Sequence, residues 1–254
     1  MANDDHDVDE PAEQRPDDQY TSCFRNWMFQ QQEDLEQLMQ AINQDIEKLR
    51  LVIQTSVKHF DEYLENRKAV YAQGNTSSFF SPTWCSSFEK SYLWVGGCRP
   101  SLLIQLLYTL SGSSIETHLD EFLAGARKGN LGEISADQLH RVDALHRRTI
   151  QSEDQLSSKI ASMQEQMGDK KLVEMALTFD HHQVDQQSAG SDVHAVLDSL
   201  ELPWIGMLEK ADELRLNTMK EMINILTPLQ AVEYLIAGKK LHLSIHQWCS
   251  TRNH

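Results

Sequence analysis

Residues 20–72 read YTSCFRNWMFQQQEDLEQLMQAINQDIEKLRLVIQTSVKHFDEYLENRKAVYA. Within this run Phe24, Trp27, Met28, Leu35, Leu38, Ile42, Ile46, Leu49, Ile53, Val57, Phe60 and Leu64 recur mostly every three or four positions, the spacing that gathers side chains on one face of an α-helix. No alternating strand pattern and no Asn-Gly or Asp-Gly hairpin signal occurs in the chain, so the stripe sets an all-α reading. As one straight helix these residues would reach about 80 Å at 1.5 Å per residue, whereas a compact chain of this size is roughly 45 to 50 Å across. The helix therefore breaks, bends or protrudes. Near-heptad spacing also suits a partner helix, so a homodimeric coiled coil competes with packing inside the chain. Internal packing is favoured, because more apolar helices follow that need cover.

Downstream, residues 74–87 form a Ser- and Thr-rich connector whose Phe79, Phe80, Pro82 and Trp84 are expected to fold back on the core. Ser86 with Glu89 makes a capping box, predicting a short helix through Tyr92 and Trp94 that Gly96 and Gly97 stop. Pro100 suits the first turn of a helix over 100–110, apolar on nearly every side and hence central. Ser113 with Glu116 is expected to begin another helix that Gly129 ends, and Ser135 to cap a long polar one bearing Leu139, Val142, Leu145, Ile150, Leu156, Ile160 and Met163. A polar gap over 183–191 precedes a helical segment from Asp192 that Pro203 should end or kink. Thr227, Pro228 and Gln230 then open the last helix. The expected fold is an all-α multi-helix bundle with long N-terminal and central helices.

The chain has 254 residues with 40% hydrophobic content, enough to bury a sizeable core. Its 38 acidic residues outweigh 23 basic ones, and a net charge of −15 repels phosphate backbones. Part of that excess is local: Asp4, Asp5, Asp7, Asp9, Glu10, Glu13, Asp17 and Asp18 face only Arg15, so residues 1–19 read as a disordered acidic tail and residues 20–250 as the helical domain. No apolar signal core follows Met1 and no run approaches a membrane span, so an intracellular protein is expected. Cys23, Cys85, Cys98 and Cys249 lack a C-x-x-C pair and are expected to be reduced and structural.

Catalytic signatures are missing: there is no G-x-S-x-G elbow, no phosphate-cradling G-x-x-x-x-G-K-[ST], no H-E-x-x-H and no EF-hand loop. Gly96 and Gly97 beside Arg99 suit either an anion at the next helix N-terminus or, more simply, a tight turn between packed helices. His242 and His246 are four residues apart, which puts both on one face of the last helix with β-carbons about 5 to 6 Å apart. Gly238 one turn upstream leaves room for a flat ring, and Cys249 adds a soft donor downstream. That set reads either as two donors to one ion or one axial nitrogen to a haem, or as ordinary core and surface histidines. His181 and His182, in a Gln-rich stretch, read as solvated. His140, Arg141, His146, Arg147 and Arg148 form one basic patch, a solvated face or a seat for an acidic segment.

Trp84, the run Leu93-Trp94-Val95-Gly96-Gly97-Cys98-Arg99-Pro100-Ser101, the stretch Ala211-Asp212-Glu213-Leu214-Arg215 and the closing AGKKLHLSIHQW of residues 237–248 resemble the plant Delay of Germination family. The resemblance runs from about Thr21 to Trp248 and extends to the domain C-terminal to the basic zipper of TGA-type bZIP transcription factors. It implies a helical, non-enzymatic regulatory domain associated with seed dormancy, abscisic-acid signalling and transcriptional control, placed in the nucleus, the cytoplasm or both. It also implies haem binding through the pair that His242 and His246 match, and partners among signalling proteins such as type 2C protein phosphatases, or among transcription factors. No Lys/Arg-rich helix precedes the domain here, so direct DNA contact by the bZIP route is not expected.

Overall fold

A computed structural model describes residues 16–73, 76–117, 129–178 and 188–252. The apolar stripe breaks once. Helix α1 (Pro16–Ala41) and helix α2 (Ile46–Tyr71) are joined by a four-residue turn in which Asp45 caps α2, its side chain accepting the Lys48 N–H at 2.9 Å. Folding back halves the length and lays the two apolar faces together: Trp27 stacks on Tyr63 at 4.5 Å and meets Phe60 at 5.6 Å. The face that a coiled coil would offer to a second chain is thus used inside the first. Helix α1 begins at Pro16, so the last four residues assigned to the acidic tail are helical, and residues 1–15 lie outside the described residues.

The connector folds onto the core as expected, with Phe79 in short helix α3 (Ser77–Phe80) buried against Tyr20 and Tyr71. Helix α4 (Ser87–Ser91) has the Ser86/Glu89 capping box, but it ends before Tyr92 instead of running through Trp94. The reason is the turn that follows. Trp94 and Gly97 exchange both backbone hydrogen bonds, at 2.8 and 3.2 Å, around Val95 (φ 45°) and Gly96 (φ 68°). Two central residues at positive φ mark a type I′ turn, a geometry that asks for glycine and that a β-branched residue adopts only under constraint.

Helix α5 (Pro100–Thr117) starts at Pro100 and passes through Ser113, which therefore opens no separate helix; the remainder of that expected helix, residues 118–128, lies outside the described residues. Its Ile104 and Leu107 are fully buried, while Leu102 faces solvent, so α5 is central on one side only. After a 3₁₀ turn (Leu131–Glu133), helix α6 (Ala136–Glu165) carries the Ser135/Gln138 capping box. A second 3₁₀ turn and helix α7 (Lys170–Thr178) precede helix α8 (Ser188–Ile225), so the expected polar gap is helical from Ser188. Pro203 lies inside α8 without ending it. The lost N–H is outweighed by the turn after it, where Met207, Leu208 and Ala211 are buried in the core and Trp204 packs on Phe80 at 4.9 Å. Helix α9 (Pro228–Arg252) opens with the Thr227/Gln230 exchange.

The main core joins Leu38, Val52, Ile104, Val142, Met222 and Val232, one from each of α1, α2, α5, α6, α8 and α9. The described residues therefore form an all-α bundle, and none of their helices is long and apolar enough to cross a membrane.

Candidate functional site

Two polar constructions interrupt the apolar interior. The first clamps the Trp94–Gly97 turn. Arg215, 2% exposed, donates from Nε to the Cys98 carbonyl at 2.8 Å and from Nη2 to the carbonyls of Trp94 and Val95, while its Nη1 meets Asp212 at 2.6 Å. Arg67 donates to the Gly96 carbonyl at 3.0 Å and holds the other Asp212 oxygen at 3.3 Å. One buried carboxylate thus stands between two guanidinium groups, hydrogen-bonded to Arg215 and paired with Arg67 by charge alone, and each guanidinium also donates to the backbone of the turn, which helps a buried charge cluster offset its desolvation. The clamp fixes Val95 at positive φ. It also explains Gly97, where an added Cβ would lie 2.9 Å from Arg215 Cζ.

The anion site considered at the start of α5 is filled from within. Glu153, 0% exposed on α6, accepts the Ser101 N–H at 2.6 Å, the Ser101 hydroxyl at 3.0 Å and Arg99 Nε at 2.6 Å. Its carboxylate sits where the helix dipole favours negative charge. The glycines serve the tight turn, and the motif is structural. Glu153 carries no sequence signal that separates it from a surface acid on an amphipathic helix, whereas Asp212 lies in the 211–215 stretch that carries the family resemblance.

The second construction runs along the face of α9 that meets α1 and α4. Here the structure brings Lys239, His242 and His246 together with Phe24, Trp27, Gln31 and Glu89. Lys239, 6% exposed, donates to Asp34 at 2.9 Å and to Gln31 Oε1 at 3.2 Å, with its ammonium 5.4 Å from the Trp27 ring. Asp34 further meets His59 Nδ1 at 2.6 Å and accepts from Gln30 and Ser56. Gln31 Nε2 lies 2.6 Å from His242 Nδ1. His246 Nδ1 lies 2.7 Å from Glu89 Oε1, and its ring stands edge-on to Phe24 at 5.4 Å.

Both histidines are half-buried. Burial pushes the His242 pKa down to about 4, helped by the charges of His246 and Lys239 and opposed by Glu89. Burial also lowers Lys239, against the pull of Asp34. At Glu89 burial favours the neutral acid, yet hydrogen bonds from His246 and Ser86 outweigh it and hold the carboxyl below its ordinary range. Glu89 therefore has two roles, closing the α4 capping box through Oε2 and orienting His246 through Oε1.

The donor chemistry suits one axial nitrogen to a haem, because an imidazole whose Nδ1 is held by a carboxylate has its other nitrogen oriented and made more basic. It does not suit a bare ion: among the described residues no three His, Cys, Asp or Glu side chains converge on one, and Cys249 does not complete a set. Gly238 supplies no slot, since a Cβ there would make ordinary contact with Leu106 of α5 at 3.6 Å. A groove of about 380 Å³ lies elsewhere, between α6 and α8, lined by residues including Leu156, Lys159, Lys210 and Leu214. The basic patch on α6 is largely answered in place, Arg147 by Asp143 at 2.5 Å and Arg148 by Glu221 at 2.6 Å, which leaves little for an acidic segment. His181 and His182 fall outside the described residues. The four cysteines are free; burial pushes the Cys85 thiol up to about 12 and raises that of Cys23, so neither is a ready nucleophile.

A family profile described as seed dormancy control, DOG1, matches residues 31–109. Protein DOG1-like 3 of Arabidopsis thaliana is 32% identical over 241 residues, which cover 91% of this chain and 83% of that protein. The chain belongs to the DOG1 family. A second relative, protein DOG1-like 1 of the same plant, is 33% identical over 255 residues, covering 91% of this chain and 89% of its own. Transcription factor TGA7 of Arabidopsis thaliana is 23% identical over 222 residues, 86% of this chain but 52% of the factor. DOG1-family sequence therefore occurs both as most of a protein and as about half of a transcription factor. The profile begins within α1, covers α2 to α4 and ends within α5, so the histidines of α9 lie outside it.

Proposed function

We propose that this DOG1-family chain is a non-enzymatic regulatory protein that acts through protein–protein contacts in seed dormancy, abscisic-acid signalling and transcriptional regulation. The observation that carries this reading is similarity over nine-tenths of the chain to DOG1-like proteins, joined to the likeness to part of TGA7. The structure supports it through where the charge goes: Arg67, Arg215, Asp212, Glu153, Asp34 and Lys239 are all engaged in holding helices and one turn together. Recognition is then a matter of helix faces. The proposed partners are type 2C protein phosphatases and transcription factors, met in the nucleus or cytoplasm, with DNA reached through the partner. Gel filtration with light scattering on an equimolar mixture with a purified type 2C phosphatase, and separately with a TGA-type factor, tests it. A complex with either is expected; two unassociated components in both mixtures would overturn it.

A second reading is favoured by the histidine face. The α4 and α9 segments tied by Glu89 and His246 also carry Phe88, Tyr92, Leu241 and Trp248 exposed, an apolar surface that a haem or another flat apolar ligand would cover. His242 and His246 would hold a haem, which would supply an iron centre. Only a ligand that binds one helix arrangement better than another changes partner affinity, so this reading predicts a partner affinity that depends on haem.

A further inference from the structure

We propose that the groove between α6 and α8 is the seat of the chain's own acidic segment, residues 1–15, which folds back and holds that face against other acidic chains. The contact needs neither a ligand nor a partner. The groove, of about 380 Å³, is lined by Leu156 and Leu214, with Lys159 contributed by α6 and Lys210 by α8. Both lysines are exposed, and among the described residues neither pairs with a carboxylate. Neighbouring cations differ: Arg148 of α6 is answered by Glu221 at 2.6 Å, Lys220 of α8 by Asp61 at 3.0 Å and Lys68 of α2 by Glu209 at 3.3 Å. Two unanswered lysines from two helices, set about an apolar groove, suit an extended acidic peptide. Residues 1–15 supply one, with Asp4, Asp5, Asp7, Asp9, Glu10 and Glu13 against Arg15.

Position and tether favour this occupant over a segment of another protein. Helix α1 begins at Pro16, and Tyr20, one turn on, lies in the same buried cluster as Leu156, which also lines the groove. One apolar cluster therefore connects the origin of the segment to the wall of its seat. Fifteen extended residues reach about 50 Å, as far as a compact chain of this size is wide. A tethered segment is present at about millimolar effective concentration, so a contact of modest intrinsic strength is occupied. The groove's own acid, Glu213, opposes the segment and keeps the contact weak enough for a competing acidic chain to displace.

Zero-length carbodiimide cross-linking of the full chain, with peptide mapping by mass spectrometry, tests the proposal. Amide links from the carboxylates of residues 1–15 are expected at Lys159 and Lys210, well above those at the control lysines Lys90 and Lys240, and falling as salt is raised from about 0.05 to 0.5 M. Lys159→Glu is expected to lower the yield at the intact Lys210 by about threefold or more, and Glu213→Gln to raise it. Both substituted positions are exposed, so the bundle is retained, which circular dichroism checks. Equal yields at groove and control lysines, or a yield at Lys210 that neither substitution moves, would overturn the proposal. Absence of links in the groove would do the same and leave it to a partner's acidic segment. A mixture of ¹⁴N- and ¹⁵N-labelled chains identifies the source of the segment. Links within one isotope support folding back, whereas mixed-isotope links in statistical proportion would assign the groove to a second copy and overturn the intramolecular contact.

Discussion

Arg215 shows how much one side chain can organise: it spends its donors on the Trp94, Val95 and Cys98 carbonyls of one turn and on one carboxylate, and Gly97 is small because the guanidinium lies against it. Lysine has the charge but not the planar fork, so Arg215→Lys is expected to cost about 3 kcal/mol or more in urea unfolding; a loss below about 0.5 kcal/mol would show that the clamp is not what holds the turn. His242 gives a pH dependence with a definite sign. Its folded pKa of about 4 lies below the ordinary 6.5, so between those values the unfolded chain takes up a proton that the folded one refuses. This contribution is present above pH 6.5 and is lost as pH falls toward 4, by on the order of 2 to 3 kcal/mol. Unfolding curves at pH 7 and pH 4.5 for the unmodified protein and His242→Phe check it, since the variant should be less sensitive to acid over that window. The residues of these constructions were only partly legible. Gly97, the 211–215 stretch with Asp212 and the histidine pair stand out in the sequence, whereas Asp34 and Glu153 read like any surface acid until long-range packing places them at 2% and 0% exposure.

At the scale of elements, a capping signal places a helix start where its reciprocal exchange forms, because that chemistry is local, whereas Ser113 with Glu116 opens no helix and lies inside α5. Ser86, Ser135 and Thr227 all make their reciprocal bonds with the residue three ahead. Stops were read poorly. Helix α4 ends early because tertiary bonds from Arg215 and Arg67 impose a turn on residues 94–97, and α8 continues through Pro203 because the buried side chains beyond it reward continuity. Pro203→Ala, which restores a backbone donor inside α8, should stabilise the protein by about 1 kcal/mol or more, read from the urea midpoint. Glu153 makes the opposite case. It caps the start of α5 from another helix, so Glu153→Gln should cost about 2 kcal/mol by weakening three charge-assisted bonds while leaving the shape in place.

For the whole molecule, the all-α class followed from periodicity alone, and the length of the first stripe already required the fold-back that the α1–α2 hairpin makes. Which face of the stripe met which helix was not readable, because a single apolar period serves an internal hairpin and a dimer equally well. With Trp27, Phe60 and Leu64 buried inside the chain, light scattering at micromolar concentration should give a monomer near 29.2 kDa. A stable dimer would mean that a second surface, not this stripe, mediates association. The family assignment makes partner contact the central claim, and the histidine face adds the question of whether a ligand modulates it. Calorimetric titration of the full chain with a type 2C phosphatase, with and without ferric haem, addresses both. The account predicts binding at about micromolar affinity or tighter, near −8 kcal/mol, without any added ligand, and an affinity altered by haem in the unmodified protein but not in a double variant carrying His242→Ala and His246→Ala. No heat and no complex at tens of micromolar, roughly −6 kcal/mol or weaker, in either condition would contradict it.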